Sequence, residues 1–284
     1  MQRTLLIAAL TIGVLLLIIR DSSWLSELEG RLGERSNRTD CKSATLTSPA
    51  PVETIVKVLK GGRVTLSIRN RTSEYVEVLP RGIGKSFQNL VDVRVYRIAP
   101  QQAVEVLYSY ADNSPKLLAP DIVYSFSTFS PTTKFINSAL EWPISSGLGV
   151  ISQSPTMSVR HPTHTLEGMN ENAVDIRAPF GANVVAAISG RVMSVVDSNP
   201  DFYCGSLDFD NRIVVVASDG TEVIYGHLMR GSSKVTQGDW VRAGQPIARV
   251  GRSGGMKVSH LHIQRGYLST AGYQTVPIHF LNMP

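Results

Sequence analysis

The stretch RIVVVASDGTEVIY, residues 212–225, predicts a β-hairpin. An apolar, β-branched run leads into Asp219-Gly220, and a second strand-like run follows the pair. Asp-Gly between two such runs favours a two-residue turn because both residues tolerate the backbone angles that the turn needs. Segments 184–188 and 192–196 have the same apolar, β-branched character. Because no long amphipathic helical pattern appears from residue 146 to the end, this half is predicted to be all-β.

An earlier region, residues 52–127, also reads as β-structure. Period-two alternation of apolar and polar residues recurs in four segments, 63–68, 75–79, 91–96 and 104–110. Short strands separated by turn residues predict a small, β-sandwich-like module. It contains no histidine or cysteine, so we expect a spacer or a binding module for a cell-wall protein partner. Residues 128–145, rich in Ser, Thr and Pro, are predicted to be a linker to a domain spanning 146–284.

The N-terminus predicts export. Arg3 precedes an uncharged, mostly apolar run of residues 4–19, about 24 Å long as a helix. Residues 1–20 are predicted to be a signal-anchor or transmembrane segment, with a cleaved signal peptide as the alternative. No small-residue cleavage site follows, which favours the anchor, and residues 21–51 are expected to form a polar stalk or linker. The prediction is a single-pass inner-membrane protein whose C-terminal domains lie in the periplasm.

Bulk composition narrows the possible partners. The chain has 284 residues, 43% of them hydrophobic, and a formal net charge of +5. That charge is small and forms no basic stripe with interleaved aromatic residues, so nucleic acid is not an expected partner. The two cysteines, Cys41 and Cys204, are too few for a zinc framework. They could form a disulfide in an exported protein, or stay unpaired.

Candidate chemistry lies in the second half of the chain. His260 and His262 are two residues apart, so on a strand both imidazoles face one side while Leu261 faces the core. Asp175 lies between Val174 and Ile176 in an apolar strand pattern, and His227 follows a strand that leaves the Asp219-Gly220 turn. Taken alone, Asp175 could equally pair with Arg177, and His227 could be an exposed strand-end histidine. Together, these donors on separate strands suit a catalytic zinc site with an open position.

The motifs around these residues resemble the lysostaphin-type, or LytM-domain, zinc endopeptidases that cut peptidoglycan cross-links. The resemblance covers roughly residues 146–266 and rests on five stretches: 173–187, 219–221 with 225–228, 235–247, 251–254 and 260–262. It implies zinc ligation by Asp175 and His262. It implies that His227 and His260 orient and deprotonate the attacking water and stabilise the oxyanion. Peptidoglycan stem peptides are the substrate it implies.

The third ligand departs from the common family pattern. Glu171 occupies the position, four residues before Asp175, where the family usually has a histidine. A subset of the family takes this ligand from further upstream, which leaves His161 and His164 as candidates. The Thr-His-Thr setting of His164 resembles that subset, so His164 is preferred, while Glu171 itself remains possible. Ser253 and Ser259 also stand where the family usually has Thr and Pro.

Two other functional classes compete with an active zinc metalloendopeptidase. One is a degenerate, zinc-free LytM-like domain that acts as a binding or activator protein in cell-wall remodelling. Such domains usually lose several histidines, whereas this chain keeps His227, His260 and His262. The other is a barrel-sandwich carrier, because the pattern at 235–247 also occurs in lipoyl-type folds. A carrier has no need of a His-x-His pair beside a buried acid.

Overall fold

The computed structural model describes residues 51–58, 63–81, 94–109, 121–127, 138–145, 148–154, 170–201, 210–254 and 256–284. The predicted membrane segment, the predicted stalk up to residue 50, both cysteines, His161 and His164 lie outside these ranges. Within them, no helix is long and apolar enough to cross a membrane.

Regular structure in the described ranges is made of strands, which confirms the all-β prediction for this part of the chain. The strands are β1 (Val52–Val58), β2 (Arg63–Asn70), β3 (Val76–Arg81), β4 (Tyr96–Ile98), β5 (Ala103–Ser109), β6 (Asp121–Ser125), β7 (Leu140–Glu141), β8 (Val150–Gln153), β9 (Val174–Arg177), β10 (Asn183–Val185), β11 (Gly190–Val196), β12 (Arg212–Ala217), β13 (Glu222–Gly226), β14 (Trp240–Val241), β15 (Pro246–Arg249), β16 (His260–Ser269), β17 (Gly272–Thr275) and β18 (Phe280–Leu281).

The main sheet has the order β14-β11-β12-β13-β16-β9-β8, with β17 also paired to β16. The pairings along this sheet are antiparallel. Strands β12 and β13 form the predicted hairpin, in which Val216 pairs with Glu222 and Ile213 with Tyr225. Gly220 adopts a φ of 86° in the turn, an angle that glycine reaches at no steric cost.

One face of the main sheet carries the larger core. Alternate side chains of β12, β13 and β16 meet there and pack against the two-stranded sheet of β10 and β15. Tyr225 is fully buried, and its hydroxyl oxygen accepts the Ala187 N–H at 2.7 Å. The strand predicted over 184–188 ends early, at Val185, where its pairing with β15 shifts register. Beyond that point Ala186 N–H instead donates to the Gln245 carbonyl.

Part of the segment predicted as a linker contributes to this core. Strand β7 pairs in parallel with β18, so residues near 140 and 280 lie side by side. Trp142 and Ile144 are buried in the larger core, and the Trp142 ring meets Phe280 edge-on at 5.2 Å between centroids. Residues 140–144 therefore pack as a structural part of the body that contains the main sheet.

The opposite face of the main sheet packs against the described residues between 52 and 126. These form two three-stranded sheets, β1-β2-β5 and β4-β3-β6, whose predicted sandwich arrangement stays a prediction. Met193, Val214 and Val216 of the main sheet share one core cluster with apolar residues of these small sheets. Leu268 and Tyr273 share a second cluster with Leu79 and Val123. The module and the main sheet thus bury apolar surface in common, which is a large stabilising term.

Two carboxylates lie at this junction. Glu222 of β13 is buried and its carboxylate accepts the Phe126 N–H at 2.7 Å. Burial raises the pKa of Glu222, although hydrogen bonds from residues 125–127 oppose the shift. Ser127 donates its hydroxyl to Glu77 at 3.3 Å. Burial raises the pKa of Glu77 to about 7, and the Glu222 carboxylate adds to the rise while Arg97 opposes it.

The raised pKa of Glu77 predicts a pH-dependent stability. The folded chain holds this proton up to about pH 7, whereas the unfolded chain releases it near the ordinary glutamate value of 4.5. Stability should therefore fall as pH rises between these values, because the unfolded state binds fewer protons there. In urea unfolding at pH 5.0 and 8.0, Glu77→Gln should lose less stability between the two conditions than the wild type. Exposed Glu105→Gln serves as the control, and parallel profiles for wild type and Glu77→Gln would contradict the prediction.

Candidate functional site

Strand pairing brings the four sequence-predicted side chains of the described region together. In the main sheet β16 lies between β9 and β13, with His262 opposite Asp175 on one side and opposite Gly226 on the other. Leu261 is fully buried in the larger core, so His260 and His262 face the other side of the sheet. His227 follows the last residue of β13 directly. The predicted alternation along β16 is confirmed.

Distances define a compact cluster. His262 Nδ1 lies 2.9 Å from Asp175 Oδ1, and His260 Nε2 lies 3.9 Å from the same oxygen. The His227 ring centroid is 4.8 Å from that of His260 and 5.8 Å from that of His262. Asp175 contacts His262 here, rather than forming the alternative pair with the exposed Arg177. Three imidazoles and one carboxylate therefore lie close together on one face of the sheet.

His227 has an unusual backbone. Its φ is +60°, a left-handed conformation that costs a residue with a β-carbon roughly 1–3 kcal/mol unless the surroundings hold it. Neighbouring hydrogen bonds hold it here, since His227 N–H donates to Asp210 Oδ1 at 2.6 Å and the His227 carbonyl accepts Gly251 N–H at 3.0 Å. Leu228 N–H donates to the Asn211 carbonyl at 3.0 Å. The turn after β13 is thus fixed on both sides.

The His227 ring is held by two acceptors. Its Nδ1 lies 3.0 Å from the Ser253 carbonyl oxygen and 3.1 Å from Asp210 Oδ1. Burial alone would lower the pKa of His227, but the Asp210 carboxylate, with help from Asp175 and Ser253, outweighs burial and raises it. Burial alone would raise the pKa of Asp210, but His227 and Arg212 outweigh it and lower the pKa. Asp210 is therefore a carboxylate at neutral pH.

His260 has the opposite electrostatic character. Burial lowers its pKa to about 4, and the neighbouring His227 adds to the effect while Asp175 opposes it. Its Nδ1 lies 2.9 Å from the Val258 carbonyl oxygen. In the neutral ring Nδ1 then carries the proton, which leaves the Nε2 lone pair free to accept a hydrogen bond.

Asp210, Asn211 and Ser253 support the cluster, although sequence motifs did not single out the first two. Asn211 is fully buried and exchanges hydrogen bonds with the Asn199 backbone at 2.9 Å in both directions. Ser253 accepts the Asn211 N–H at 2.9 Å and donates its hydroxyl to the Leu228 carbonyl at 3.0 Å. One serine therefore ties together the start of β12, the turn after β13 and its own loop.

A sequence signal for Asp210 exists in the hairpin register. The Asp219-Gly220 turn pairs Ile213 with Tyr225, and extending that ladder places residues 210–211 beside residues 227–228. Gly226 leaves room for the arrangement, because a Cβ there would lie 3.2 Å from Asp210 Oδ2 and 3.4 Å from the His262 Cβ. An acid just before a strand usually faces solvent, so the residue type alone did not predict the contact of Asp210 with His227.

The donor set fits a zinc ion in its chemistry. Asp175 and His262 offer a carboxylate oxygen and an imidazole nitrogen, and their side chains are only 13% and 15% exposed. Among the described residues, no group of three or more His, Cys, Asp or Glu side chains is arranged so that it could hold a metal ion. Of the third-ligand candidates only Glu171 is described, and it is exposed in a turn. The candidates His161 and His164 fall in the undescribed segment 155–169.

Residues 169–271 match the family described as Peptidase family M23. Among curated proteins, the cell division protein DipM of Caulobacter vibrioides is 27% identical over 111 residues. That match covers 39% of this chain and 17% of the length of DipM. This part of the chain is a peptidase M23 domain, so the predicted LytM-type resemblance is confirmed.

Solved structures similar to this chain include peptidases. The catalytic domain of lysostaphin from Staphylococcus simulans is 28% identical, covering 39% of this chain and 80% of that one, with a TM-score of 0.30. The catalytic domain of the prophage-encoded M23 protein EnpA from Enterococcus faecalis is 23% identical over 49% of this chain and 93% of that one, with a TM-score of 0.35. A zinc-containing peptidase from Vibrio cholerae is 16% identical over 82% of this chain and 88% of that one, with a TM-score of 0.39.

Removing the Ser253 hydroxyl should loosen the support of the site. Ser253→Ala leaves the buried Asn211 N–H and the Leu228 carbonyl without this partner. Urea unfolding should show a loss of about 2 kcal/mol, the usual scale for unsatisfied buried polar groups. Ser218→Ala, in the exposed turn after β12, is the matched control and should change stability little. Equal stabilities for the two variants would show that the hydroxyl does not hold the loops.

Proposed function

We propose that the chain is a zinc metalloendopeptidase that hydrolyses peptide cross-links of bacterial peptidoglycan. The observation that carries this proposal is the convergence of Asp175, His227, His260 and His262 on one face of the main sheet. The match to peptidase family M23 supports hydrolysis of a peptide bond as the reaction. An exported protein with an M23 domain has peptidoglycan as its natural substrate, and the predicted inner-membrane anchor would hold it on the periplasmic side.

Asp175 and His262 would hold the zinc ion, together with a third ligand for which His164 is the first candidate. His262 Nδ1 and Asp175 Oδ1 already face each other at 2.9 Å. The other ring nitrogen, His262 Nε2, lies 3.4 Å from the side-chain oxygen of the buried Gln264. A partner on the second nitrogen fixes the orientation of a ligating histidine. When bound, zinc polarises the scissile carbonyl and acidifies water.

His227 and His260 would handle the proton and the developing charge. His227 Nδ1 faces two acceptors, so the neutral ring carries its proton there and presents Nε2 as a base. Once Nε2 takes a proton, the Asp210 carboxylate stabilises the resulting imidazolium. His260 keeps a free Nε2 lone pair within the same cluster and can orient the attacking water by accepting a hydrogen bond. The two rings therefore differ in electrostatic setting, as an acid–base pair requires.

The first test measures zinc and activity on the full-length chain. We expect about one zinc per chain by elemental analysis, and release of peptides from purified peptidoglycan that stops with a chelator and returns with added zinc. His262→Ala should lose both zinc and activity. His227→Ala should keep zinc and lose activity by about 10²-fold or more, the scale of a general acid–base group.

His279→Ala is the matched control, because this histidine is exposed near the C-terminus and distant in sequence from the cluster. It should behave as the wild type. A wild-type chain that binds peptidoglycan without zinc and without cleavage would reject the enzyme and favour the zinc-free binding or activator protein.

The third ligand is tested by zinc content alone. With Asp175 and His262 intact, His164→Ala should reduce zinc per chain strongly, while His161→Ala and Glu171→Gln should leave it near the wild-type value. Each variant is compared by elemental analysis after the same dialysis. Zinc loss confined to His161→Ala or to Glu171→Gln would reassign the ligand to that residue.

A further inference from the structure

The site contains a carboxylate that the family resemblance does not assign. Asp210 precedes β12 and makes two contacts with the same residue, His227. Its Oδ1 accepts the His227 backbone N–H at 2.6 Å and lies 3.1 Å from the ring Nδ1. A single oxygen therefore joins the main chain and the side chain of one histidine.

We infer that Asp210 is a positioning residue that fixes the ring orientation and the tautomer of His227. This inference rests on the proposed function, because it assigns Asp210 a part in presenting His227 to the substrate. An acceptor on both the backbone and the ring restricts rotation of the imidazole relative to the strand end. A proton on Nδ1 satisfies the acceptors there and leaves the lone pair on Nε2.

Ser253 supplies the second acceptor but does not replace Asp210. Its carbonyl oxygen reaches only the ring nitrogen, at 3.0 Å. A charged acceptor forms a hydrogen bond roughly twice as strong as a neutral one. Asp210 also holds the left-handed backbone of His227, where φ is +60°. Loss of Asp210 would therefore remove one restraint from the backbone and one from the ring, whereas loss of the Ser253 contact would affect only the ring.

The surroundings of Asp210 are built to keep it in place. The adjacent Asn211 is fully buried and held by the Asn199 backbone and by Ser253. Gly254, with a φ of +80°, approaches closely enough that a Cβ there would lie 3.5 Å from the Asp210 Cβ and 3.6 Å from His227 Nδ1. At Gly226, likewise, a Cβ would lie only 3.2 Å from Asp210 Oδ2. The missing side chain of Gly226 thus makes space for the carboxylate beside the ring, whereas a Cβ at Gly254 would lie at ordinary van der Waals distance.

The first readout needs no enzyme activity. Long-range ¹H–¹⁵N NMR of the zinc-free full-length chain, labelled on histidine and recorded at a pH where His227 is neutral, reports which ring nitrogen carries the proton. The His227 signals are assigned by their loss in His227→Gln. Wild type should show the Nδ1–H tautomer, and Asp210→Ala should show a mixture with the Nε2–H tautomer. A wild-type spectrum dominated by Nε2–H overturns the inference without any variant of Asp210.

The second readout separates turnover from binding. On cross-linked muropeptides released from peptidoglycan by a muramidase, Asp210→Ala should lower kcat about 10- to 100-fold, with KM and zinc content near wild type. Asp210→Asn keeps the oxygen, so it should retain the Nδ1–H tautomer and recover part of the lost kcat. The control is Asp201→Ala. Asp201 also accepts a backbone N–H, but the donor is Arg230, at 3.0 Å, and not His227.

Two results overturn the inference: Asp210→Ala with wild-type tautomer and kcat, or Asp210→Asn with no more activity than Asp210→Ala. Failure of the proposed function looks different, because the wild type itself would then lack zinc and activity. The tautomer comparison in the zinc-free chain still decides the role of Asp210 in that case.

Discussion

The antiparallel register of β16 between β9 and β13 is the constraint on which the rest of the structure depends. It sets His262 opposite Asp175 and Gly226, and it sends Leu261 and Ile263 into the larger core. Side chains alternate along a strand, so a slip by one residue would bury both imidazoles among aliphatic groups and expose two core residues. The register that packs the core correctly therefore also assembles the site.

The same register places the module and the site on one face of the main sheet. His260 and His262 occupy this face at the start of β16, and Leu268 packs against the module at its other end. His262 and Leu268 are six residue steps apart along the extended strand, a distance of about 20 Å. The module thus covers the far part of the face and leaves the histidine end to the site. On β13, the part of this face that the module covers ends near Ile224, which packs against the apolar core of the module.

Sequence patterns anticipated the elements whose signal is local. The turn at Asp219-Gly220, the strand alternation around His262 and the placement of His227 after a strand all follow from neighbouring residues. To predict the contact of Asp210 with His227, one would need the register of the hairpin and the approach of the Ser253 loop. Both depend on contacts between residues distant in the chain. The contribution of Trp142 and Ile144 to the core was hidden for a related reason. Leu140, Trp142 and Ile144 alternate with Glu141 and Pro143, but this run is only five residues long. Its partners lie near β18 and in the larger core, far away in the chain.

The shared face also bears on how such a protein can change over evolution. Met193, Val214 and Val216 are covered by the module, and Glu222 is buried under residues 125–127. A peptidase domain with this surface cannot be moved to another protein by itself. Its transfer would expose apolar side chains and leave the buried Glu222 without its hydrogen-bond partner. Without the module, the apolar side chains at 193, 214 and 216 would be exposed to solvent. Apolar residues at these three positions therefore indicate a domain whose sheet has evolved to be covered by a second module of the same chain.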